Sequence, residues 1–477
     1  MAAGLGWKLH GDGRAPAPGE IVGPDERLGW GLTVGLGAQH VVAMFGATFV
    51  FPVLMGLNPN LAILMSGIAT ICFLLIVKGR VPSYLGTSAS FVGAVAAIRA
   101  QGGSSADVTG AILVTGAVLA LVGLLVHFGG ARVVTTVLPP AVTGAVVMLI
   151  GFNLAPVVAN VYWPQDQWVA LLTMVVVIAA AVLGRGMVSR LSVVIGLVVG
   201  FALSKLFDVA FGQITSAAAG GKPAPHYRVS FDAVGQAPWV GLPSATRSAS
   251  GSLVPGPHLP TFHLTFILLV LPIVVALIAE NTGHVKAVAA MTGDDLDPYL
   301  GRALAADGLG TVLASAVGGS PTTTYAENIG VMAATRVYST AAYYVAALVA
   351  ILFGFCPKFG ALVAATPGGV LGGITVVLYG MIGLLGAKIW VESRVDFSAP
   401  VNLVPLAAGI IVGIGGVALQ FTPDFSLSGI ALGTLVTIAG YHAVRQLAPH
   451  RDDPAGGAAI VTGGDEVLPS RPGHSRH

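Results

Sequence analysis

Long apolar runs separated by short polar breaks fill the chain from Leu28 onward. We count fourteen runs, and most reach the roughly 17–25 residues that a membrane-spanning helix needs. The third, ninth and tenth are shorter, and the third and tenth are entered through proline and small polar residues. The runs cover residues 28–50, 61–77, 84–98, 108–127, 136–157, 168–184, 191–211, 262–285, 304–317, 326–334, 337–355, 368–386, 402–419 and 429–447. The pattern predicts an all-α polytopic membrane protein with fourteen transmembrane segments.

The composition excludes most soluble proteins. Charged residues make up 9% of the 477 residues, whereas soluble proteins carry about 25%. Hydrophobic residues make up 55% and the mean hydropathy is +0.85, so we expect the lipid bilayer to be the main surrounding. The net charge is only +2 and the basic residues are scattered, which argues against a nucleic-acid partner. Cys72 and Cys356 lie in or beside apolar runs, and we expect neither a disulfide nor a metal site from them.

Lysine and arginine concentrate in alternate loops between the runs. Positively charged short loops stay on the cytoplasmic side, so this distribution predicts an even number of spans with both termini in the cytoplasm. We expect residues 1–27 to form a short, poorly ordered cytoplasmic tail and residues 448–477 to form a second tail. The basic residues are expected to determine topology and nothing more.

Seven runs precede the long connection at residues 212–261 and seven follow it, so the second half would be inverted relative to the first. The third run is approached by residues 82–88 and the tenth by residues 321–327. Both approaches begin with proline, are rich in serine and threonine, and precede a truncated apolar run. Short, interrupted segments at corresponding places in two halves predict a binding site in the middle of the membrane.

Two acidic residues, Glu280 and Glu327, lie well inside or at the start of an apolar run. A carboxyl group at bilayer depth costs roughly 2.5–3.5 kcal/mol, so such residues normally face a cavity or a partner. We interpret both as functional residues, and the alternative is a structural hydrogen bond to a neighbouring helix. Asp307 and Asp208 are interpreted as residues close to the membrane interface.

His284 follows Glu280 by four residues, which places both on one helix face. A glutamate and a histidine at that spacing can exchange a proton. The alternatives are a purely structural hydrogen-bonding role for His284 or a metal site, although the neighbouring sequence offers no evident third ligand. Gln39 and His40 lie in the first run, which the internal repeat pairs with the run that carries Glu280.

The segment from Tyr325 to Arg336 resembles the signature of the nucleobase:cation symporters, a family that includes uracil permeases and ascorbate and purine transporters. Its Glu-Asn-x-Gly form, residues 327–330, is typical of pyrimidine members, whereas purine members usually carry Gln-Asn-x-Gly. The resemblance extends over residues 25–442. Residues 79–84 and 284–289 are most similar to the pyrimidine permease subgroup associated with uracil catabolism.

This resemblance implies a fold of fourteen segments in a 7+7 inverted repeat, with short strands before half-helices 3 and 10. It further implies a core domain, a gate domain and a homodimer formed through the gate. The expected boundaries are a tail at 1–27, core domain at 28–130, gate domain at 131–211, an external connection at 212–261, core domain at 262–358, gate domain at 359–447 and a tail at 448–477.

The resemblance also implies the roles of individual residues. Substrate would be bound by Glu280, Glu327, the backbone amides of Ala89 and Ala326, and the pocket wall at Ala47. Proton coupling would involve Glu280, His284 and His40, and the site would be supported by Gln39, Asn328, Tyr325 and Ser88. The position of Ala326 is commonly Gly in uracil permeases and that of Ala89 is commonly Phe, and backbone donation survives either change. Because Ala89 removes an aromatic wall, the pocket is expected to be larger and to accept thymine or xanthine.

The predicted function is therefore proton-coupled import of uracil across the bacterial cytoplasmic membrane, with no metal or other cofactor. The alternatives are a purine permease of the same family, a channel, which would need rings of polar residues along several helices, or a membrane enzyme. No arrangement of nucleophile and base in the sequence favours an enzyme.

Overall fold

A computed structural model describes residues 6–14, 16–17, 20–130, 132–185, 187–216, 223–247, 253–422 and 425–447. The predicted tail at 448–477 lies outside these residues. The helices are α1 (Trp30–Met55), α2 (Pro59–Ile76), α3 (Val92–Ala100), α4 (Ser105–Gly129), α5 (Arg132–Val137), α6 (Pro140–Phe152), α7 (Ala155–Val157), α8 (Gln167–Leu183), α9 (Met187–Arg190), α10 (Ser192–Phe211), α11 (Asp232–Gln236), α12 (Leu264–Val270), α13 (Ile273–Thr292), α14 (Asp297–Ala316), α15 (Ala326–Thr335), α16 (Thr340–Gly354), α17 (Pro357–Ala364), α18 (Gly368–Glu392), α19 (Pro400–Ile414) and α20 (Gly429–Leu447). A 3-10 turn (Ala89–Phe91) leads into α3.

Short strands form five two-stranded sheets among the described residues. They are β1 (Lys8–Leu9), β2 (Glu26–Arg27), β3 (Leu85–Thr87), β4 (Ile214–Ser216), β5 (Ala224–His226), β6 (Thr246–Arg247), β7 (Leu253–Val254), β8 (Thr322–Thr324), β9 (Ala418–Thr422) and β10 (Phe425–Ser428). Strands β1 and β2 pair in parallel, and the pairs β3–β8, β4–β5, β6–β7 and β9–β10 are antiparallel.

Seven helical segments of the described chain are long and apolar enough to cross a membrane, and α16 with α17 would make an eighth span bent by 83°. The chain is therefore a multi-pass membrane protein. The prediction of a short ninth segment at 304–317 is wrong, because α14 begins at Asp297 and has 20 residues. The charges of Asp297, Arg302 and Asp307 lower the local hydropathy without interrupting the helix.

Local signals at the helix ends explain several boundaries. Asn58 caps α2 by accepting a hydrogen bond from the Leu61 N–H at 3.1 Å, and Pro59 occupies the first helical position. Ser104 and Asp107 form a capping box at the start of α4. These caps satisfy backbone donors that the lipid could not.

Helix packing relies on small residues that let backbones approach closely. A side chain on Gly67 of α2 would meet the backbone of Ala347 in α16, and one on Gly308 of α14 would meet the backbone of Ala120 in α4. If the two halves are superimposed in chain order, α2 corresponds to α14 and α16 to α4. The two packings are therefore equivalent, as an internal repeat requires.

The central strands are held by equivalent threonines in the two halves. Thr70 of α2 accepts a hydrogen bond from the Leu85 N–H at 3.0 Å, and Thr311 of α14 accepts one from the Thr322 N–H at 3.1 Å. Leu85 and Thr322 are the first residues of β3 and β8. The two strands then pair antiparallel, with Gly86 opposite Thr323. The local arrangement is thus close to two-fold symmetric.

The N-terminal segment packs against the rest of the protein, so the expectation of a poorly ordered tail is wrong for residues 20–27. The Val22 N–H donates to the carbonyl of Arg336 at 3.0 Å, and the Tyr338 N–H donates to the carbonyl of Val22 at 2.9 Å. Val22 and Leu28 are buried and pack with Val337. Backbone pairing at the end of α15 and this apolar cluster together order the segment.

Arg228 corrects the expectation that the basic residues determine topology and nothing more. It forms ion pairs with Asp166 and with Asp208, which is buried near the end of α10. The interpretation of Asp208 as a residue close to the membrane interface stays a prediction.

Candidate functional site

Two helix N-termini, one from each half of the chain, meet beside the β3–β8 pair. The 3-10 turn begins at Ala89 after β3, and α15 begins at Ala326 after β8. Neither start has a side-chain cap. The first N–H groups of a helix have no intrahelical partner, and the helix dipole makes this end partially positive. The structure thus places the predicted amides of Ala89 and Ala326 where they can donate to a ligand.

Both predicted carboxyl groups lie at these helix starts. Glu327 is in the first turn of α15 and is exposed, whereas Glu280, on α13, is half-buried. Their side chains are close enough for the two charges to interact, and Ser90 lies near Glu280. The two acceptors and two uncapped helix starts therefore form one site.

The predicted histidines are hydrogen-bonded to residues of β8 and α15. His284 Nδ1 is 2.8 Å from the Thr324 hydroxyl at the end of β8. This hydrogen bond connects α13 to β8. His40, in α1, accepts at Nδ1 from the Asn328 amide at 3.1 Å and stacks on Tyr343 with ring centroids 4.4 Å apart. The hydrogen-bond partner that the structure gives His284 is thus Thr324 rather than Glu280.

Tyr325 ties the two halves together at the strand ends. Its hydroxyl donates to the Thr87 carbonyl at 2.6 Å and accepts from the Thr48 hydroxyl at 3.3 Å. Its backbone N–H donates to the Tyr84 carbonyl at 3.1 Å. Tyr325 therefore connects the end of β8 to residues around β3 and α1, and its supporting role at the site stays a prediction.

The other predicted supporting residues surround this point. Ser88 is buried and its N–H donates to the Pro321 carbonyl at 2.9 Å. Gln39 is half-buried in α1 next to His40. Ala47 also lies in α1, but its side chain is outside the described part of the structure.

Asp307 is fully buried in the middle of α14, so its interpretation as an interfacial residue is wrong. The Thr323 hydroxyl donates to its Oδ2 at 3.4 Å. Asn281, also fully buried, lies beside it. The sequence could not distinguish this position from an interfacial one, because Asp307 falls near the start of the apolar run at 304–317. The helix itself begins at Asp297, ten residues before Asp307.

The site opens toward one end of the molecule. Along the face of α13 that carries Glu280, Gly283 is exposed and Ala287 is partly exposed, whereas Ala276 and Ile273 in the other direction are buried. On α15, Gly330 and Ala334 continue the exposed face of Glu327. The open direction leads to the end of α15 where the N-terminal segment packs.

Several residues that build the site were not predicted from the sequence. Thr70 and Thr311 hold the strands, Thr48 holds Tyr325, and Ser90 lies near Glu280. A threonine in an otherwise apolar helix was the signal for the first two, but only the pairing of the strands shows what they bind.

Comparisons with known proteins agree with this architecture. A protein-family model described as the Permease family matches residues 31–421. "Putative pyrimidine permease RutG" of Escherichia coli strain K12 is 45% identical over 425 residues, 88% of this chain and 90% of the relative. The "Uracil permease" of Bacillus caldolyticus is 36% identical over 420 residues, 86% of this chain and 91% of the relative.

Solved structures share the fold at low sequence identity. The transmembrane domain of the cyanobacterial bicarbonate transporter BicA has a TM-score of 0.53 at 15% identity and covers 86% of this chain and 96% of that domain. The murine anion transporter Solute Carrier 26 family member A9 has a TM-score of 0.62 at 12% identity and covers 87% of this chain and 68% of its own.

A multi-pass helical protein whose two halves meet at broken helices, and whose relatives are named permeases, is a transporter and not an enzyme. The chain belongs to the permease family of nucleobase-ascorbate transporters, which confirms the resemblance seen in its sequence motifs.

Proposed function

We propose that the protein is a symporter that imports uracil together with protons across the bacterial cytoplasmic membrane. The observation that carries the proposal is the meeting of Glu280 and Glu327 with the uncapped helix starts at Ala89 and Ala326. The names of the two relatives, a pyrimidine permease and a uracil permease, support uracil as the substrate.

Uracil matches the donors and acceptors of the site. It is planar and uncharged, with N–H donors alternating with carbonyl acceptors. Glu327 accepts from a ring N–H, and the amides of Ala89 and Ala326 donate to the ring carbonyls. A base that left one of these groups without a hydrogen-bond partner in the bound complex would lose roughly 1–3 kcal/mol of binding free energy, which provides discrimination.

Proton coupling is assigned to Glu280. A proton on Glu280 removes the repulsion between two neighbouring carboxylates and leaves Glu327 free to accept from the base. His284 and His40 support this exchange by fixing α13 to β8 and α1 to α15. Entry of one proton is worth about 2.3 kcal/mol per 100 mV of membrane potential, which can drive uptake of a neutral base.

Transport proceeds by alternating access between a core domain (residues 28–130 and 262–358) and a gate domain (131–211 and 359–447). Equivalent packing of α2 on α16 and of α14 on α4 supports a 7+7 inverted repeat of fourteen segments. With both termini in the cytoplasm, the open end of the site faces inward, so this structure corresponds to an inward-open state.

Three finer properties follow from the family resemblance. The small side chain at Ala89 leaves room beside the base, so we propose thymine and xanthine as additional substrates. Protons serve as the coupling ion and no cofactor takes part. Two copies associate through the gate domain to form a homodimer in the bilayer.

Uptake of labelled uracil into proteoliposomes with an imposed proton gradient tests the proposal. We expect the gradient to accelerate uptake, Glu327→Gln to abolish binding and uptake, and Glu280→Gln to impair gradient-driven uptake more than uracil exchange. Glu392→Gln is the matched control, because Glu392 lies exposed at the end of α18 and pairs only with Lys388 at 3.6 Å among its described ion pairs. Uptake that ignores the gradient would refute proton coupling, and full activity of both site variants would refute the site.

A further inference from the structure

The guanidinium of Arg228, in the long connection, is buried between aspartates of two helices. Its Nε donates to Asp166 Oδ2 at 2.6 Å, and its Nη1 donates to Asp208 Oδ1 at 3.2 Å. The N–H groups of Arg228 and Val229 also donate to the Asp208 carboxylate, at 2.9 and 3.0 Å. Asp166 caps α8 and Asp208 lies near the end of α10, so this cluster fixes the connection to two proposed gate helices.

The residues that follow Arg228 reach a different part of the protein. We call residues 228–247 the bridging segment. The Gly241 N–H donates to the Phe355 carbonyl at 3.0 Å, and Lys358 donates through Nζ to the Val234 carbonyl at 2.8 Å. The ammonium of Lys358 also lies 5.3 Å from the ring centroid of Trp239. The segment therefore ends on the turn between α16 and α17.

That turn is attached to α2, which belongs to the proposed core domain. Asn60 Nδ2 donates to the Cys356 carbonyl at 2.7 Å. Asn58, the cap of α2, donates directly to the Ser244 carbonyl of the bridging segment at 2.7 Å. The bridging segment is thus bound to gate helices at one end and to a core helix at the other.

The bridging segment lies on the face where the substrate site is closed. The connection continues to His258, whose N–H donates to the Val317 carbonyl at 3.2 Å, and then enters α12 and the buried end of α13. On the same face, Gly93 of α3 lies against Asn153 and Ile430, residues of the proposed gate domain.

We propose that Arg228 is a positioning residue that, through the bridging segment, stabilises closure of the external face between the core and gate domains. Opening on this face separates the two ends of the segment. Either the contacts of Lys358 or those of Arg228 must therefore break in each transport cycle. This inference rests on the proposed alternating-access function. Its consequence is that weakening the segment increases the population open to the outside and leaves the substrate-binding residues untouched.

Labelling of a single cysteine tests the proposal. Ala97→Cys, one helical turn beyond Gly93 on α3 and half-buried, is introduced with Cys72 and Cys356 changed to Ala. An impermeant maleimide is then applied to right-side-out membrane vesicles. Adding Lys358→Met removes the hydrogen bonds to the Val234 and Gly235 carbonyls, of which the bond to Val234 is the shorter. The labelling rate should rise about fivefold, the population shift expected for a bond of ordinary strength. Lys388→Met, at an exposed pair on α18, should leave the rate unchanged.

Arg228→Met should increase labelling further, and Arg228→Lys should restore it in part. If Arg228→Met is not folded, as judged by size-exclusion chromatography, the labelling rates of Lys358→Met and Asn58→Ala test the proposal instead. Unchanged labelling in both of those variants would overturn the proposal. Uracil uptake measured in the same vesicles separates the two questions: active uptake with unchanged labelling refutes the bridging role alone, whereas absent uptake in the parent protein refutes the proposed function.

Discussion

The Asn328 amide nitrogen lies 3.1 Å from His40 Nδ1 and 3.0 Å from the backbone carbonyl oxygen of the same histidine. The carbonyl can only accept, so this end of the Asn328 side chain is the NH2 group. His40 Nδ1 is then an acceptor, and a neutral His40 carries its proton on Nε2. One side chain next to Glu327 thereby fixes both the tautomer of His40 and the distance between α15 and α1.

Asn328→Ala should weaken uracil binding. Loss of the amide leaves Nδ1 and the carbonyl of buried His40 without their donor, at a cost of roughly 1–3 kcal/mol, or about 5- to 150-fold in affinity if α15 moves. Equilibrium binding of labelled uracil to the purified protein measures the effect. The control is Asn402→Ala. This change in α19 removes a hydrogen bond of 2.7 Å from the Asn402 amide to the Asp396 carbonyl. Equal affinities for both variants would contradict the assignment.

Thr70→Val and Thr311→Val should destabilise the protein by similar amounts. Each change removes the acceptor for the N–H of the first residue of a central strand, and an unpaired buried donor costs roughly 1–3 kcal/mol. Thermal unfolding in detergent measures the loss. Thr115→Val is the matched control, because among the described residues its hydroxyl donates within α4, to the Ala111 carbonyl at 2.9 Å. A large effect in one half and none in the other would contradict the equivalence of the halves.

Gly86→Ala should lower the unfolding temperature and abolish uptake. A Cβ at Gly86 would lie 2.5 Å from the Thr48 hydroxyl oxygen and 2.6 Å from the ring of Tyr325, so the strand pair or the tyrosine must move. Such overpacking typically costs about 1–3 kcal/mol. Gly35→Ala in α1 has open space around it and should be neutral or stabilising. Wild-type uptake by Gly86→Ala would show that the ring of Tyr325 is not held in this position.

Docking of the N-terminal segment should weaken in acid. The Gly23 N–H donates to Glu26 Oε2 at 2.9 Å, and this bond, followed by the contact with His10 at 2.9 Å, lowers the pKa of Glu26 from its ordinary value of 4.5. A lowered pKa means that the stabilisation is complete above about pH 4.5 and is lost as the pH falls through the lowered value. The charges of His10 and Lys8 act on Glu26, and His10 also pairs with Glu20.

Hydrogen exchange of residues 20–28, corrected for intrinsic rates and followed from about pH 6 to pH 3, measures this docking. Glu26→Gln should exchange faster at pH 6 and lose the acid-dependent increase. Asp12→Asn, at an exposed position, should behave as the parent protein. An increase centred above pH 5 would assign the effect to a group other than Glu26.

Much of the candidate site could be predicted from the sequence alone. A carboxyl group within an apolar run is costly, so Glu280 and Glu327 were recognisable without a structure, and prolines 82 and 321 indicated where the helices break. In the structure, three-residue strands follow those prolines and the two glutamates share one site.

What the sequence could not show depends on residues that are distant along the chain. Asp307 looked interfacial because hydropathy averages over neighbours, whereas its burial depends on β8 passing beside α14. Arg228 looked like one more loop charge, because nothing in the sequence places it between Asp166 and Asp208. The N-terminal segment looked disordered, since Val22 and Leu28 pack against Val337, a residue that is distant in the sequence.

The pairing of β3 with β8 has a consequence for biosynthesis. Translation proceeds from the N-terminus, so Leu85–Thr87 must wait in the membrane until Thr322–Thr324 has been made and inserted. During that interval the strand has only Thr70 and its own helical neighbours to satisfy its backbone groups. A chain that stops anywhere before Thr324 is therefore not a weakened carrier. It is a membrane protein with an open strand edge at its centre, the kind of fragment that membrane quality control should remove.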